Sequence, residues 1–214
     1  MIISKQKDFQ EIIRLIYEQP VFIVGCSQCA TLCHTGGEEE VKTIKNQLED
    51  NGIGVSGWII LDPACHRNNS IRLFKNYSKQ LSQTKTILVL SCGNGVQTVS
   101  NLFEDKTTIS GCDTLFLGEI TRLHEFNKQC NLCGECLLNL FDGLCPISKC
   151  PKSMLNGPCG GSVNGKCEVN SEYDCVWTTI YNKLKKKGKL NKLSSIQKPK
   201  DWSKSLEMSR RRSH

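Results

Sequence analysis

Long apolar runs are missing from this chain. The longest, such as residues 21–24 and 87–90, are far too short to cross a bilayer, so no membrane span is expected. No secretory leader is expected either: Met1-Ile-Ile-Ser-Lys-Gln-Lys-Asp-Phe-Gln10 carries charge early and offers neither an apolar core nor a small-residue cleavage site. A soluble, cytoplasmic protein is expected, and in that compartment disulfides do not persist. Aromatic residues are scarce where nucleic acid would need them. Residues 183–214 hold 12 Lys/Arg against 2 Asp/Glu, a balance of +10, yet only Trp202 stands there for a base to stack on. Residues 1–182 carry a balance of −3. The basic end therefore reads as a solvated, flexible tail that docks on an acidic partner, with no nucleic-acid role. Paired carboxylates in a pocket pattern and a nucleophile beside a base are also missing, so no catalytic residue is assigned.

What the chain has is cysteine, 14 in all, and eight of them fall within residues 130–175. That stretch reads Cys130-Asn-Leu-Cys133-Gly-Glu-Cys136, Cys145-Pro146, Cys150-Pro151, Cys159-Gly160-Gly161, Cys167 and Cys175. Few large apolar side chains accompany them, too few to offset the entropy of ordering the segment. In a reducing compartment the remaining way to hold it is metal bound to sulfur. The triple at 130, 133 and 136 has the close spacing of ferredoxin-type clusters, in which a more distant Cys-Pro supplies the fourth thiolate. Both Cys145-Pro146 and Cys150-Pro151 suit that role. Zinc prefers two Cys-x2-Cys pairs, and no second pair follows; His124 is the only nearby imidazole. Iron–sulfur is thus favoured over zinc here. Spacing alone does not partition Cys145, Cys150, Cys159, Cys167 and Cys175 between centres.

Residues 1–120 alternate between helix and strand periodicity, which implies an α/β domain with a doubly wound parallel sheet, Rossmann- or flavodoxin-like. Helices are expected over 8–18, from a Thr35 cap through Leu48 to Asn51-Gly52, over 69–83, and over 96–103. Strands are expected over 21–25, 55–61, 86–91 and 114–118. A Cys-rich, loop-rich cluster module follows at 121–188, closed by a helix from Val176 to Leu184 in which Trp177 and Tyr181 read as core aromatics. Residues 189–214 are the tail. In an open parallel sheet, sites form outside the carboxyl ends of the strands. Cys26 follows the first strand and leads into Cys26-Ser-Gln-Cys29-Ala-Thr-Leu-Cys33; Cys65 follows the second and Cys92 the third. A metal centre on Cys26, Cys29 and Cys33 is expected, with Cys92 favoured over Cys65 as its fourth thiolate. Gly93 and Gly95 free the backbone there to approach a cofactor and to donate N–H groups to sulfur. The helix after them is also a candidate cradle for a flavin phosphate, although Gly-x-Gly alone is far short of the dinucleotide fingerprint. His34 and His66, each beside a cysteine, read as polar loop residues more than as ligands.

Several long stretches resemble one family. They are Gly25-Cys-Ser-Gln-Cys-Ala-Thr-Leu-Cys-His-Thr-Gly-Gly-Glu-Glu-Glu-Val41, Leu90-Ser-Cys-Gly-Asn-Gly-Val-Gln-Thr-Val99, Thr114-Leu-Phe-Leu-Gly118, Cys130-Asn-Leu-Cys-Gly-Glu-Cys136, Leu155-Asn-Gly-Pro-Cys-Gly-Gly161, Gly165-Lys-Cys-Glu-Val169, Asp174-Cys-Val-Trp177 and Pro199-Lys-Asp201. Together they are similar to the iron–sulfur small subunit of bacterial two-subunit methylenetetrahydrofolate reductase, over about residues 20–202. The resemblance implies an electron-transfer subunit with iron–sulfur clusters, two of the 4Fe–4S type, and zinc as the alternative at one site. It implies a flavin-containing catalytic barrel subunit as partner, further electron-input subunits, and a place in the reductive acetyl-CoA pathway of anaerobes. Arg210-Arg211-Arg212 lies outside the family's pattern. The rival expectation is a zinc-stabilised interaction subunit whose cysteines only hold shape.

Overall fold

In the computed structural model, which describes residues 1–122 and 125–206, the chain runs β1 (Ile2–Gln6), α1 (Phe9–Leu15), β2 (Val21–Cys26), α2 (Cys29–Leu32), α3 (Glu38–Asp50), β3 (Val55–Leu61), α4 (Arg67–Phe74), α5 (Ser78–Gln83), β4 (Thr86–Val89), α6 (Gly93–Ser100), β5 (Thr107–Ser110), β6 (Cys112–Arg122), β7 (Glu125–Cys130), α7 (Pro146–Lys149), α8 (Val176–Lys186) and α9 (Ser203–Leu206). It divides into two units, Met1–Phe116 and Leu117–His214. His124 and Arg210-Arg211-Arg212, singled out above, lie outside the described residues.

The first unit is built on a four-stranded sheet in the order β3-β2-β4-β5, every neighbouring pair parallel. All six residues of β2 are buried, as both faces of a parallel sheet must be. Alternate side chains go to opposite faces. Phe22 and Val24 pack with Phe74, Leu81 and Val99 from α4, α5 and α6. Val21 and Ile23 pack with Ile12 from α1 and with Val41, Ile44 and Leu48 from α3. The expected doubly wound α/β arrangement is therefore present.

Among the elements, four details differ from expectation. The fourth parallel strand is β5, a short polar Thr-Thr-Ile-Ser run at the sheet edge; Thr114–Gly118 instead belongs to β6, in a second sheet of order β1-β6-β7 where β7 runs antiparallel to β6. Leu115 in that stretch is exposed, so its apolar character marks no core strand. The cap of α3 is Gly37, not Thr35: the Gly37 N–H donates to Glu40 Oε2 at 2.8 Å, while buried Thr35 bonds Ser4 Oγ at 2.9 Å. The helix expected over 69–83 is two helices joined by a 3₁₀ turn at Lys75–Tyr77.

The fourth difference is in the second unit, where order continues past Gly188 through a 3₁₀ turn at Leu190–Leu193 and α9. Asn156 and Gln197 exchange bonds of 2.9 and 2.7 Å between side chain and backbone. The small core gathers Phe141, Val176, Trp177, Ile180 and Leu184, with Leu190 and Leu193 packed against it. Trp177 sits edge-on to Phe141 and donates its indole N–H to Met154 O at 3.0 Å, whereas Tyr181 is half exposed and is not a core aromatic.

Candidate metal centres

The carboxyl edge of the parallel sheet collects cysteine from the end of each strand. Cys26 closes β2 opposite Leu61 at the end of β3. Cys29 opens α2 and Cys33 follows it, its N–H on Cys29 O at 3.0 Å. Cys65 comes four residues after β3, Cys92 caps α6 after β4, and Cys112 follows β5. The loop carrying the triple is pinned at its base. Ser27 Oγ and Gln28 Nε2 both donate to Asp62 Oδ1 at 2.6 Å, and Thr31 Oγ1 donates to Cys26 O at 2.8 Å. These two donors hold the Asp62 carboxyl below the usual carboxylate range.

The thiols at this edge sense one another. Burial pushes the Cys33 thiol up, and negative charge on Cys29 or Cys92 would push it further. Cys65 is raised by burial and then by Cys92, Cys26 and Cys29. Cys112, only 3% exposed, is pushed up to about 12 by burial, with Cys92 and Cys33 adding to the rise. Raised values keep these thiols protonated and neutral in the free chain, and a cation among the sulfurs would be needed to draw the protons off and leave thiolates. Cys112 is the exception in chemistry: its thiol donates to Thr35 O at 3.3 Å and stays protonated, a buried S–H beside the group. It escaped the sequence reading because no spacing ties it to the other cysteines.

Glycine at 93 and 95 has a packing cause. A Cβ at Gly95 would lie 2.4 Å from Ser91 Oγ and 2.9 Å from Ala64 Cβ, so α6 seats against the turns that carry Cys92 and Cys65 only without one. The Gly93 N–H donates to Thr114 Oγ1 at 2.7 Å. His66 accepts from the Asn69 N–H through Nδ1 at 3.2 Å and so caps α4; His34 Nδ1 lies 3.6 Å from Glu40 Oε1.

In the second unit the eight cysteines separate into two hollows. Cys130, Cys133, Cys136 and Cys145 line one of about 60 Å³. Cys150, Cys159, Cys167 and Cys175 line another of about 60 Å³. The divider is α7: Cys145 stands at its start, with Pro146 as first helical residue, and Cys150 at its end. In the first hollow the Leu132 N–H donates to Cys130 Sγ at 3.3 Å. In the second, burial raises the Cys175 thiol, but the N–H groups of Thr178 and Trp177 and the hydroxyls of Thr178 and Ser162 outweigh it and hold the thiol below its ordinary value. None of the 14 cysteines is in a disulfide.

Among the described residues, no three Cys, His, Asp or Glu side chains converge closely enough to hold a single metal ion as they stand. A polynuclear core spaces its thiolates more widely than one ion does, and the donor chemistry, thiols alone, fits such a core. Among the described residues no helix is long and apolar enough to cross a membrane.

Comparison with known proteins adds one match. Residues 109–203 match the family described as methylene-tetrahydrofolate reductase C terminal, so this stretch is similar to that family, which supports a protein related to methylenetetrahydrofolate reductase. No curated protein and no solved structure matches the chain.

Proposed function

We propose that this chain is the electron-transfer iron–sulfur subunit of a methylenetetrahydrofolate reductase complex, relaying electrons to the flavin of a separate catalytic barrel subunit. The observation that carries the reading is the gathering of Cys26, Cys29, Cys33, Cys65 and Cys92 from three strand ends onto one sheet edge. Of these five thiols only Cys26 belongs to a hydrophobic core cluster, and the match at 109–203 names the enzyme class. Reduction of the methylene group to methyl takes up two electrons and two protons, and no proton-transfer pair in this sequence serves that chemistry. It belongs on the partner.

Iron–sulfur clusters supply one-electron transfer when bound. The chain's own part is to hold them and set their surroundings. Cys26, Cys29 and Cys33 would hold one, with Cys92 as fourth thiolate, and Cys130, Cys133, Cys136 and Cys145 another. Backbone N–H donation to sulfur, as from Leu132 to Cys130, stabilises the electron-rich state and so raises the potential. Asp62 fixes the loop at 26–33 through Ser27 and Gln28.

The test is metal and acid-labile sulfide on anaerobically purified protein, with its visible and EPR spectra. Iron and sulfide in equal amounts support the reading; a colourless protein with zinc and no sulfide replaces it with a zinc-stabilised interaction subunit. Cys29→Ala is expected to remove iron and abolish electron input while the catalytic subunit still binds. Undiminished turnover with the physiological donor in that variant would overturn the relay.

A further inference from the structure

From Pro151 to Asp174 the second unit has 24 consecutive residues, none of them buried. Ordering a residue costs about 1–2 kcal/mol in backbone entropy, and in this stretch only Met154 packs against the small core to offset it. Val163, Val169 and Tyr173 are all exposed. The regular structure within the stretch amounts to isolated bridges, Val163 to Lys166 and Lys166 to Asp174. Yet the backbone is placed: Cys167 N–H bonds Tyr173 O at 2.9 Å, and Cys175 N–H bonds Gly165 O at 2.7 Å. Something other than hydrocarbon holds it.

Four cysteines are spread along this stretch at nearly even intervals, two flanking it at 150 and 175 and two inside it at 159 and 167, and all four line one hollow. We propose that Cys150, Cys159, Cys167 and Cys175 form a metal centre of their own, separate from the one at Cys130, Cys133, Cys136 and Cys145, and that this third centre folds residues 151–174. Its occupant is a thiophilic metal bound by four thiolates, either one zinc ion or an iron–sulfur core. Four thiolates leave net negative charge on either, and Lys149 borders the hollow to offset it. The nearby carboxylates are already paired, Glu168 with Lys152 and Asp174 with Lys166. Side chains that ring a hollow in the free chain close onto the metal as it binds, because thiolate sites and the fold around them form together. The inference stands apart from the electron-relay reading, since a purely structural metal would satisfy it.

The experiment uses the full chain, purified anaerobically as wild type, Cys167→Ser and Cys133→Ser, with iron, zinc and sulfide counted per chain. Cys167→Ser is expected to lose one zinc with iron unchanged, or about four irons and four sulfides with zinc unchanged; the two losses distinguish the occupants. Cys133→Ser is expected to lose a different, independent complement. Wild-type metal content in Cys167→Ser overturns the proposal, and so does loss of the same equivalents in both variants, which would mean one shared centre. Should Cys167→Ser be insoluble, alkylation of the wild type decides. Cys150, Cys159, Cys167 and Cys175 should resist iodoacetamide until metal is stripped and then react together, with 151–174 becoming protease-sensitive. Prompt reaction of the four in native protein overturns the proposal. A chain with no metal in any variant would defeat the relay reading as well, whereas a null result confined to Cys167→Ser would not.

Discussion

Asp62 would govern the proposed centre at Cys26, Cys29 and Cys33 without itself being a ligand. Its carboxylate holds Ser27 and Gln28 inside the cysteine triple, and its own loop is tied by Asn69 Nδ2 on Asp62 O at 2.7 Å. Asp62→Ala should leave the melting temperature within a degree or two, since the residue is exposed, yet speed iron loss to a chelator several-fold; unchanged release kinetics would deny it a positioning role. The pH sense follows from the lowered carboxyl. The contact is present above the ordinary carboxylate value and is lost as pH falls through the depressed one. Cys112 titrates the other way. Held near 12 when folded against about 8.5 in an unfolded chain, it contributes stability that is complete below about 8.5 and is lost as pH rises toward 12. Cys112→Ala should therefore flatten the alkaline fall in melting temperature, cost about 1–2 kcal/mol at neutral pH, and leave iron content intact. Iron loss in that variant would make Cys112 a ligand.

At the scale of elements, the chain passes over the end of β4 at Gly36, where a Cβ would lie 1.8 Å from Leu90 O. That crossing brings Gly36 O onto the Cys26 N–H at 2.8 Å and so sets the height of the triple over the sheet. Gly36→Ala must push these backbones apart and should destabilise the first unit by about 1–3 kcal/mol, measured by denaturant unfolding; an unchanged midpoint would refute the crowding. The strands over 21–26 and 55–61 were legible because both are short runs rich in β-branched residues and bounded by turn formers, although only Ile59 and Leu61 of the second are buried. β5 was not, because an edge strand of Thr-Thr-Ile-Ser needs little apolar content, and the apolar run beside it drew the assignment to Thr114–Gly118. The break at Lys75–Tyr77 was invisible because Phe74 and Leu81 keep a helical spacing across the 3₁₀ turn. The partition of the late cysteines was illegible for a different reason. Cys145 and Cys150 carry the same Cys-Pro signature, and only the four-residue helix between them sends them to different hollows.

Across the whole molecule, the two units are stabilised by different means. Met1–Phe116 has apolar cores on both faces of its sheet, whereas Leu117–His214 has one small core and eight of the 14 cysteines. Removing metal with a strong chelator should leave the far-ultraviolet signature of the parallel sheet in place while 151–174 becomes open to proteolysis; loss of both together would show the cores to be insufficient. The net charge of +7 conceals an uneven distribution, since residues 183–214 hold a balance of +10, and regular structure in that stretch continues to α9. Lys200, with its side chain only 6% exposed, donates to Glu135 O, and Lys204 reaches the Glu135 carboxylate. Gly134 has no Cβ because one would strike the backbone at Lys204. These two lysines leave the ribosome more than sixty residues after Cys130, Cys133 and Cys136. The turn through Gly134 and Glu135 is therefore made well before the lysines that clasp it exist, and its fastening is a late event in synthesis.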